Sequence, residues 1–153
     1  MLLLKFIIAL VLVLILDGLY LGAAGTAKNQ YLPAIERIQG VPVSLDYISA
    51  GIAYLILAFG LVYFVFLKTE NELKISSIRS ETVFNGDSAS GSAIGKIISN
   101  GVAFGIFGYG LYNFTNSALL DNHSVTLGIQ DTIWGATLGT VSGLIYFFLL
   151  GMI

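Results

Sequence analysis

The chain of 153 residues has no cysteine, one histidine and two prolines. Without cysteine it can form neither a disulfide framework nor a thiolate metal site, and a single histidine argues against a histidine-rich metal centre. Charged residues are also scarce, at 10% of the chain, whereas a soluble domain has about 25%. Hydrophobic residues make up 56%. Water is therefore not the main solvent of this chain. The lack of cysteine and the single histidine predict no metal site, and we also predict no cofactor.

The charge balance also limits the partners. A formal net charge of -2 leaves no basic surface for nucleic acid phosphates, so the expected partner is the lipid bilayer. Four membrane spans of about 20 residues each would occupy more than half of the chain. We therefore predict a single transmembrane domain over residues 1–153.

Four apolar stretches predict an all-α integral membrane protein, a four-helix transmembrane bundle. The predicted helices cover about 2–22, 46–67, 94–118 and 127–153. The short third loop makes the last two helices antiparallel neighbours. A longer polar loop, about 68–93, joins helices two and three, and the alternation around its Asn85-Gly86 also allows a small hairpin.

The first stretch has a second interpretation, because its basic start, apolar run and small residues at 24–27 resemble a secretory signal. Asp17 inside the apolar run argues for a retained helix instead. Between helices one and two, Pro33 and Gly40 are typical of the start and end of a short helix, which we expect at the membrane interface. Asp46 is expected to begin helix two as a solvated residue.

The orientation follows from the lysine and arginine residues near the helix ends. Five of them fall on the side of the two termini and the long loop, namely Lys5, Lys68, Lys74, Arg79 and Lys96. Lys28 and Arg37 fall on the other side. The positive-inside rule then predicts that both termini are cytoplasmic.

Two carboxylates lie inside the predicted spans. A carboxylate in hydrocarbon costs about 2.5 to 3.5 kcal/mol on insertion scales, so each one needs a partner, a proton or water. Asp17 lies near the end of helix one and Asp131 near the start of helix four. Because the helices alternate in direction, the two aspartates are expected in the same leaflet.

Helix three should contribute to the same layer. The offsets between its polar residues predict one inward face. The predicted polar layer consists of Asp17, Tyr20, Tyr109, Tyr112, Asn113, Asn116, Asp131 and Trp134. These residues either bond the helices together or form a binding site that opens to the outer face. We predict no catalytic residues.

Small residues recur at a spacing of four on three helices. They are Gly18 and Gly22, Gly101 and Gly105, and Gly135, Gly139 and Gly143. This spacing allows helices to approach closely and indicates tight packing, a homo-oligomer or assembly into a larger membrane complex.

Three segments of the chain resemble a family of small membrane proteins known as domain of unknown function 2177. Leu16-Asp17-Gly18-Leu19-Tyr20-Leu21-Gly22 is similar to the family's leucine-aspartate pair with a following aromatic residue, leucine and glycine. Gly101 through Gly105 with Tyr109 and Tyr112-Asn113-Phe114-Thr115-Asn116 resembles its glycine and polar signature. Asp131-Thr132-Ile133-Trp134-Gly135 resembles its aspartate-tryptophan segment.

The resemblance spans most of the chain and implies a four-helix membrane fold without an established reaction. The family usually has tryptophan at the position of Tyr20 and aspartate at the position of Asn113, and its long loop is usually shorter. Loss of that third carboxylate argues against a mechanism that needs three acids, such as a divalent metal site.

Three functions remain open at this stage. The first is binding or transport of a small solute, ion or lipid headgroup by the polar layer. The second is a structural or assembly role in a larger membrane complex. The third is a lipid-modifying enzyme or its accessory, for which the sequence supplies no nucleophile with a base. We rank them in that order.

Overall fold

The computed structural model describes residues 2–74 and 89–151, with only the backbone described at 89–92. Within these ranges all regular secondary structure is helical. Four helices are long and apolar enough to cross a membrane, which confirms the predicted fold class. The four are α1 (Leu2–Ala23), α3 (Tyr47–Lys74), α4 (Ala93–Leu119) and α5 (Val125–Leu149). The short helix α2, Leu32–Gln39, lies between α1 and α3 in the chain.

Helix α3 continues to Lys74, whereas the sequence predicted its end at Leu67. The extra turns have partners on neighbouring helices. Thr69 is fully buried and accepts a hydrogen bond from Asn100, and Glu70 contacts Lys5 and Tyr146. The remainder of the predicted polar loop at 75–88, with its possible hairpin, lies outside the described residues.

The helix ends follow the local sequence. Pro33 lies in the first turn of α2, and Gly40 ends that helix with a positive φ of 73°, as predicted. Asp46 accepts hydrogen bonds from the backbone N–H groups of Ile48 and Ser49 and so caps α3. Ser124 caps α5 in the same way through the N–H of Leu127.

Helices α4 and α5 form the closest pair, and their glycines make this approach possible. A Cβ at Gly105 would lie 2.1 Å from the Ala136 backbone nitrogen, and a Cβ at Gly101 would lie 2.4 Å from that of Thr140. Gly135 faces the Tyr109 ring in the same way. The predicted small-residue spacing on these two helices therefore serves packing within the chain, whereas Gly18 and Gly22 of α1 have open space.

The other contacts define the shape of the bundle. Helix α1 packs against α3 and α5, and its Ala9 and Val13 are fully buried. The 62–67 segment of α3 contacts α4 and α5, whereas the main neighbour of the preceding segment, Tyr47–Leu61, is α1. We name the two ends of the bundle the Asp17 end and the Lys5 end. Helices α3 and α4 therefore pack together mainly toward the Lys5 end.

Candidate functional site

Asp17 lies in the bundle interior near the end of α1 and is 6% exposed. Its Oδ1 accepts a hydrogen bond of 2.7 Å from Trp134 Nε1 of α5. The indole ring is held from its other side by Tyr20, because the two rings stack at 4.1 Å with an angle of 9°. Asp17, Trp134 and Tyr20 therefore form one continuous contact between α1 and α5.

Asp131 has both carboxylate oxygens occupied. The Tyr31 hydroxyl donates to Oδ1 at 2.7 Å, and Asn113 Nδ2 donates to Oδ2 at 2.7 Å. Asn113 Nδ2 also donates to the backbone carbonyl of Tyr109 at 2.9 Å, which fixes the side chain against α4. Asp131 thus joins the segment before α2 to α4 and α5.

A chain of polar groups connects this layer to a cavity at the Asp17 end. Gln130 Nε2 donates to the Tyr20 hydroxyl at 3.0 Å, and that hydroxyl lies 3.5 Å from the Tyr31 hydroxyl. Gln130 also lines a cavity of about 280 Å³, together with Arg37 of α2. Burial raises the pKa of Tyr31, and its hydrogen bonds with Tyr20 and Asp131 act in the same direction. Tyr31 therefore stays a neutral donor to Asp131.

The hydroxyls of Tyr109 and Tyr54 have no hydrogen-bond partner in the described part of the chain. The Tyr109 hydroxyl is fully buried. The second oxygen of Asp17 also has no partner among the described residues, since Trp134 bonds only to Oδ1. Two tyrosine hydroxyls and one carboxylate oxygen of the spanning helices therefore have no partner among the described residues.

The structure brings together six of the predicted layer residues: Asp17, Tyr20, Tyr109, Asn113, Asp131 and Trp134. Tyr112 is 65% exposed and lies outside the group. Asn116 is half-buried, and its side chain has no hydrogen bond to any described residue. An α-helix turns by about 100° per residue. The face centred on Tyr109 and Asn113 therefore turns Tyr112 away from α5.

Two of the site residues lie in π-helical segments. Tyr20 belongs to Gly18–Ala23, and Tyr109 belongs to Ile106–Gly110. Such segments insert a residue into an α-helix, change the direction of the following side chains and occur frequently at functional sites. A regular periodicity of 3.6 residues cannot anticipate them.

The layer holds two carboxylates without a basic partner among residues 2–74 and 89–151. In these ranges Lys5 pairs with Glu70 and Lys68 pairs with Glu72, both toward the Lys5 end. The same ranges contain no cluster of three or more histidine, cysteine, aspartate or glutamate residues that could hold a metal. The donors to both aspartates are neutral groups.

Sequence reasoning missed Tyr31, because the depth of a connecting segment is not encoded in its periodicity, and it missed Gln130 of α5. It also missed a second polar cluster at the Lys5 end. There Glu70 pairs with Lys5 and accepts a hydrogen bond of 2.7 Å from the Tyr146 hydroxyl. The Tyr146 ring stacks on Phe66 at 3.9 Å. A lysine predicted only as an orientation signal therefore joins α1 to α3.

His123 and Ser117 form a contact that the sequence did not suggest, with 2.9 Å between His123 Nδ1 and Ser117 Oγ. The Ser117 hydroxyl also donates to the backbone carbonyl of Asn113 at 2.9 Å. A serine whose hydrogen is bound to a backbone carbonyl is not arranged to transfer it to a base. The contact attaches the α4–α5 loop to the polar layer.

The comparisons with known proteins identify one relationship. The family model with the description "Predicted membrane protein (DUF2177)" matches residues 2–148, which confirms the resemblance inferred from the three sequence segments. No curated protein and no solved structure matches the chain.

Proposed function

We propose that this chain, which belongs to the DUF2177 family of predicted membrane proteins, uses its polar layer to bind the positively charged group of a small solute within the bilayer. Asp17 is the carboxylate that receives this group. The hydroxyls of Tyr54 and Tyr109 provide additional hydrogen bonds.

The observation that supports the proposal is the state of the Asp17 side chain. It is buried, accepts one hydrogen bond from a neutral N–H, and keeps one oxygen without a partner in the described part of the chain. A buried carboxylate is costly unless it is paired, protonated or hydrated. A cationic group would reduce this cost, whereas an anion would be repelled by both aspartates.

Asp131 has a different role in the proposal. Its two oxygens are occupied by Tyr31 and Asn113, so it has no oxygen left for a solute. It supports the site by holding α4 against α5 through Asn113, at the level of Tyr109. Removal of its charge should therefore affect stability more than binding.

The Asp17 end faces the outside in this proposal, because the lysines and arginines near the helix ends are more numerous toward the Lys5 end. The chain has no cysteine, so a single introduced cysteine reports its own side of the membrane. A membrane-impermeant maleimide added to intact cells should label Lys28→Cys and spare Lys68→Cys. Labelling of Lys68→Cys without labelling of Lys28→Cys would show that the protein has the opposite orientation.

Trp134 provides a direct measurement of binding, because it is the only tryptophan and bonds to Asp17. We would titrate the full chain in lipid nanodiscs with ethylammonium chloride and record tryptophan emission, with sodium chloride as the ionic-strength control. The wild type should show a saturable change. Asp17→Asn, which keeps an acceptor for the indole but loses the charge, should weaken binding at least 10-fold.

Asp131→Asn is the matched comparison, because it removes one charge from the same layer. Its affinity should stay within about threefold of wild type once circular dichroism shows that it is folded. The proposal fails if ethylammonium produces no saturable change in the wild type. It also fails if both substitutions weaken binding equally, since the effect would then reflect only the total charge.

A structural role is the second candidate, and the saturated hydrogen bonds of Asp131 favour it. In that case the layer bonds the helices to one another and the chain serves as a component of a larger complex. Light scattering after size exclusion distinguishes the two candidates. A stable monomer that binds ethylammonium supports a binding site, whereas a chain that aggregates alone and binds nothing supports a structural component.

A further inference from the structure

A cavity of about 280 Å³ lies at the Asp17 end, where α2 and the segment before it face the start of α5. The main neighbour of α2 is that preceding segment, Ala27–Tyr31, so space remains between α2 and α5. Ligand pockets measure about 300 to 1,000 Å³. The cavity is therefore large enough for a small ligand or for one end of a larger one.

The lining of this cavity is rich in hydrogen-bond donors. The side chains that can donate are Asn29, Gln30, Arg37, Ser124, Thr126 and Gln130. No aspartate or glutamate of the described ranges 2–74 and 89–151 lines it. The carboxylates nearest in the sequence bind elsewhere, since Glu36 accepts a hydrogen bond of 3.3 Å from the Val43 backbone nitrogen and both oxygens of Asp131 are occupied. The cavity is therefore suited to an anion.

Arg37 gives the cavity a full positive charge. It is exposed and has neither an ion pair nor a hydrogen bond with any residue that the structure describes. A guanidinium presents five N–H donors in a planar fork that matches the oxygens of a phosphate or a carboxylate. Whereas Lys5 is paired with Glu70, Arg37 keeps its whole charge for a ligand.

Two hydrogen bonds hold the walls of the cavity in place. The Tyr31 hydroxyl donates to Asp131 Oδ1 at 2.7 Å and attaches the segment before α2 to α5. Gln130 Nε2 donates to the Tyr20 hydroxyl at 3.0 Å, which fixes the Gln130 side chain. The donors are thus arranged before a ligand arrives, and such preorganisation lowers the entropic cost of binding.

The cavity lies near the depth of the lipid headgroups. Helix α5 has 25 residues and is about 37 Å long at 1.5 Å per residue, whereas the hydrocarbon core is about 30 Å thick. Its first turn, which includes Thr126 and Leu127 of the lining, therefore extends toward the headgroup layer. The backbone N–H groups of this turn add partial positive charge to that of Arg37. Basic pockets at this level bind phosphate-bearing headgroups.

We infer that the cavity binds a phosphate group, which accepts bidentate hydrogen bonds from Arg37 and single ones from the surrounding amides and hydroxyls. A carboxylate has only two oxygens, and the fork of Arg37 would occupy both. The tetrahedral phosphate has further oxygens for donors from the other wall. A lipid headgroup and free phosphate share this chemistry. The inference goes beyond the proposed function, because the ligand is an anion and Asp17 takes no part.

Three substitutions give a matched test. Arg37→Gln removes the charge and the fork from the cavity. Lys28→Gln removes one positive charge from the same end of the bundle, but Lys28 is exposed and does not line the cavity. Ala34→Leu leaves every charge in place and fills part of the cavity from α2. It also keeps the test available if Arg37→Gln does not fold.

Isothermal titration calorimetry on the full chain in dodecyl maltoside micelles measures the affinity, with sodium phosphate and dihexanoyl phosphatidylglycerol as probes. Sodium chloride and titrations into protein-free micelles are the controls. Lys28→Gln should bind the preferred probe within about threefold of wild type. Arg37→Gln and Ala34→Leu should each bind it at least 10-fold more weakly.

The two probes distinguish the sources of the phosphate. Tighter binding of phosphatidylglycerol supports a lipid headgroup, and equal or tighter binding of inorganic phosphate supports the free anion. The inference is overturned if neither probe gives a saturable signal with the wild type. It is also overturned if Lys28→Gln weakens binding as much as Arg37→Gln does, or if Ala34→Leu binds as the wild type does. Asp17 is unchanged in all these variants, so such a failure leaves the proposed cation site intact.

Discussion

Trp134 Nε1 donates a hydrogen bond of 2.7 Å to Asp17 Oδ1 and joins residues 117 positions apart in the chain. The bond connects α5 to α1 at the depth of the polar layer. It gives the buried carboxylate its one donor among the described residues and leaves the second oxygen available. The buried carboxylate of α1 therefore depends on one side chain of α5 for its hydrogen bond.

Trp134→Phe should destabilise the protein by about 1 to 3 kcal/mol, because the buried carboxylate loses its donor while an aromatic ring remains against Tyr20. Thermal unfolding in detergent, followed by circular dichroism, measures this change. In an Asp17→Leu background the same substitution should cost much less. An equal cost in both backgrounds would mean that packing, and not the hydrogen bond, accounts for the effect.

Asn113→Ala should also cost about 1 to 3 kcal/mol, because Asp131 Oδ2 loses its donor and the Tyr109 carbonyl loses a side-chain donor. Tyr112→Ala is the neighbouring control, since this side chain is largely exposed, and its change should stay within about 0.5 kcal/mol. Chemical denaturation in micelles compares the two. A larger loss for Tyr112→Ala would contradict the assignment of the inward face.

Gly105→Ala should destabilise the α4–α5 pair by about 1 to 3 kcal/mol, because the new Cβ would overlap the Ala136 backbone and force the helices apart. Gly108→Ala, three residues along, has open space and should be neutral or gain up to about 1 kcal/mol from lower unfolded-state entropy. Melting temperatures of the two variants give the comparison. Equal melting temperatures would rule out a tight α4–α5 contact at Gly105.

Lys5 and Glu70 should show strong coupling, since their side chains are each only 13% exposed. Lys5→Met and Glu70→Gln should each cost on the order of 3 kcal/mol, because each leaves a buried polar partner unpaired. The double variant should cost clearly less than the sum of the single changes. A double-mutant cycle on unfolding free energies provides the test, and simple additivity would show that the pair is not coupled.

Asp46 should titrate at unusually low pH. The hydrogen bonds from the Ser49 hydroxyl and from the Ser49 and Ile48 backbone lower its pKa below the ordinary 3.8. A carboxyl with a depressed pKa stabilises the fold above its unfolded pKa and loses that contribution as the pH falls through its folded pKa. The Ile48 and Ser49 amide resonances should therefore shift with a midpoint below 3.8.

Asp46→Asn is the control for this titration, because it retains an acceptor for the cap but has no proton to gain. Its Ile48 and Ser49 resonances should stay constant through the acid range. A midpoint at or above 3.8 in the wild type would show that the cap hydrogen bonds do not persist in solution.

The apolar runs alone predicted the four spans, because a helix must satisfy its backbone hydrogen bonds internally in lipid and needs about 20 apolar residues to cross it. Proline and glycine at fixed positions likewise predicted the short helix before α3. The end of α3 was misplaced, since Thr69, Glu70 and Glu72 resemble loop residues until Lys5, Asn100 and Tyr146 are brought beside them.

The sequence by itself determined that two aspartates must share one layer, because their depth follows from position along alternating helices. Only the tertiary structure decided that Asp131 is saturated and Asp17 is not, because the donors Tyr31 and Trp134 come from distant segments. It also decided that Tyr112 faces outward. These features depend on how closely each pair of helices packs, and the glycines of α4 and α5 set the distance between those two helices.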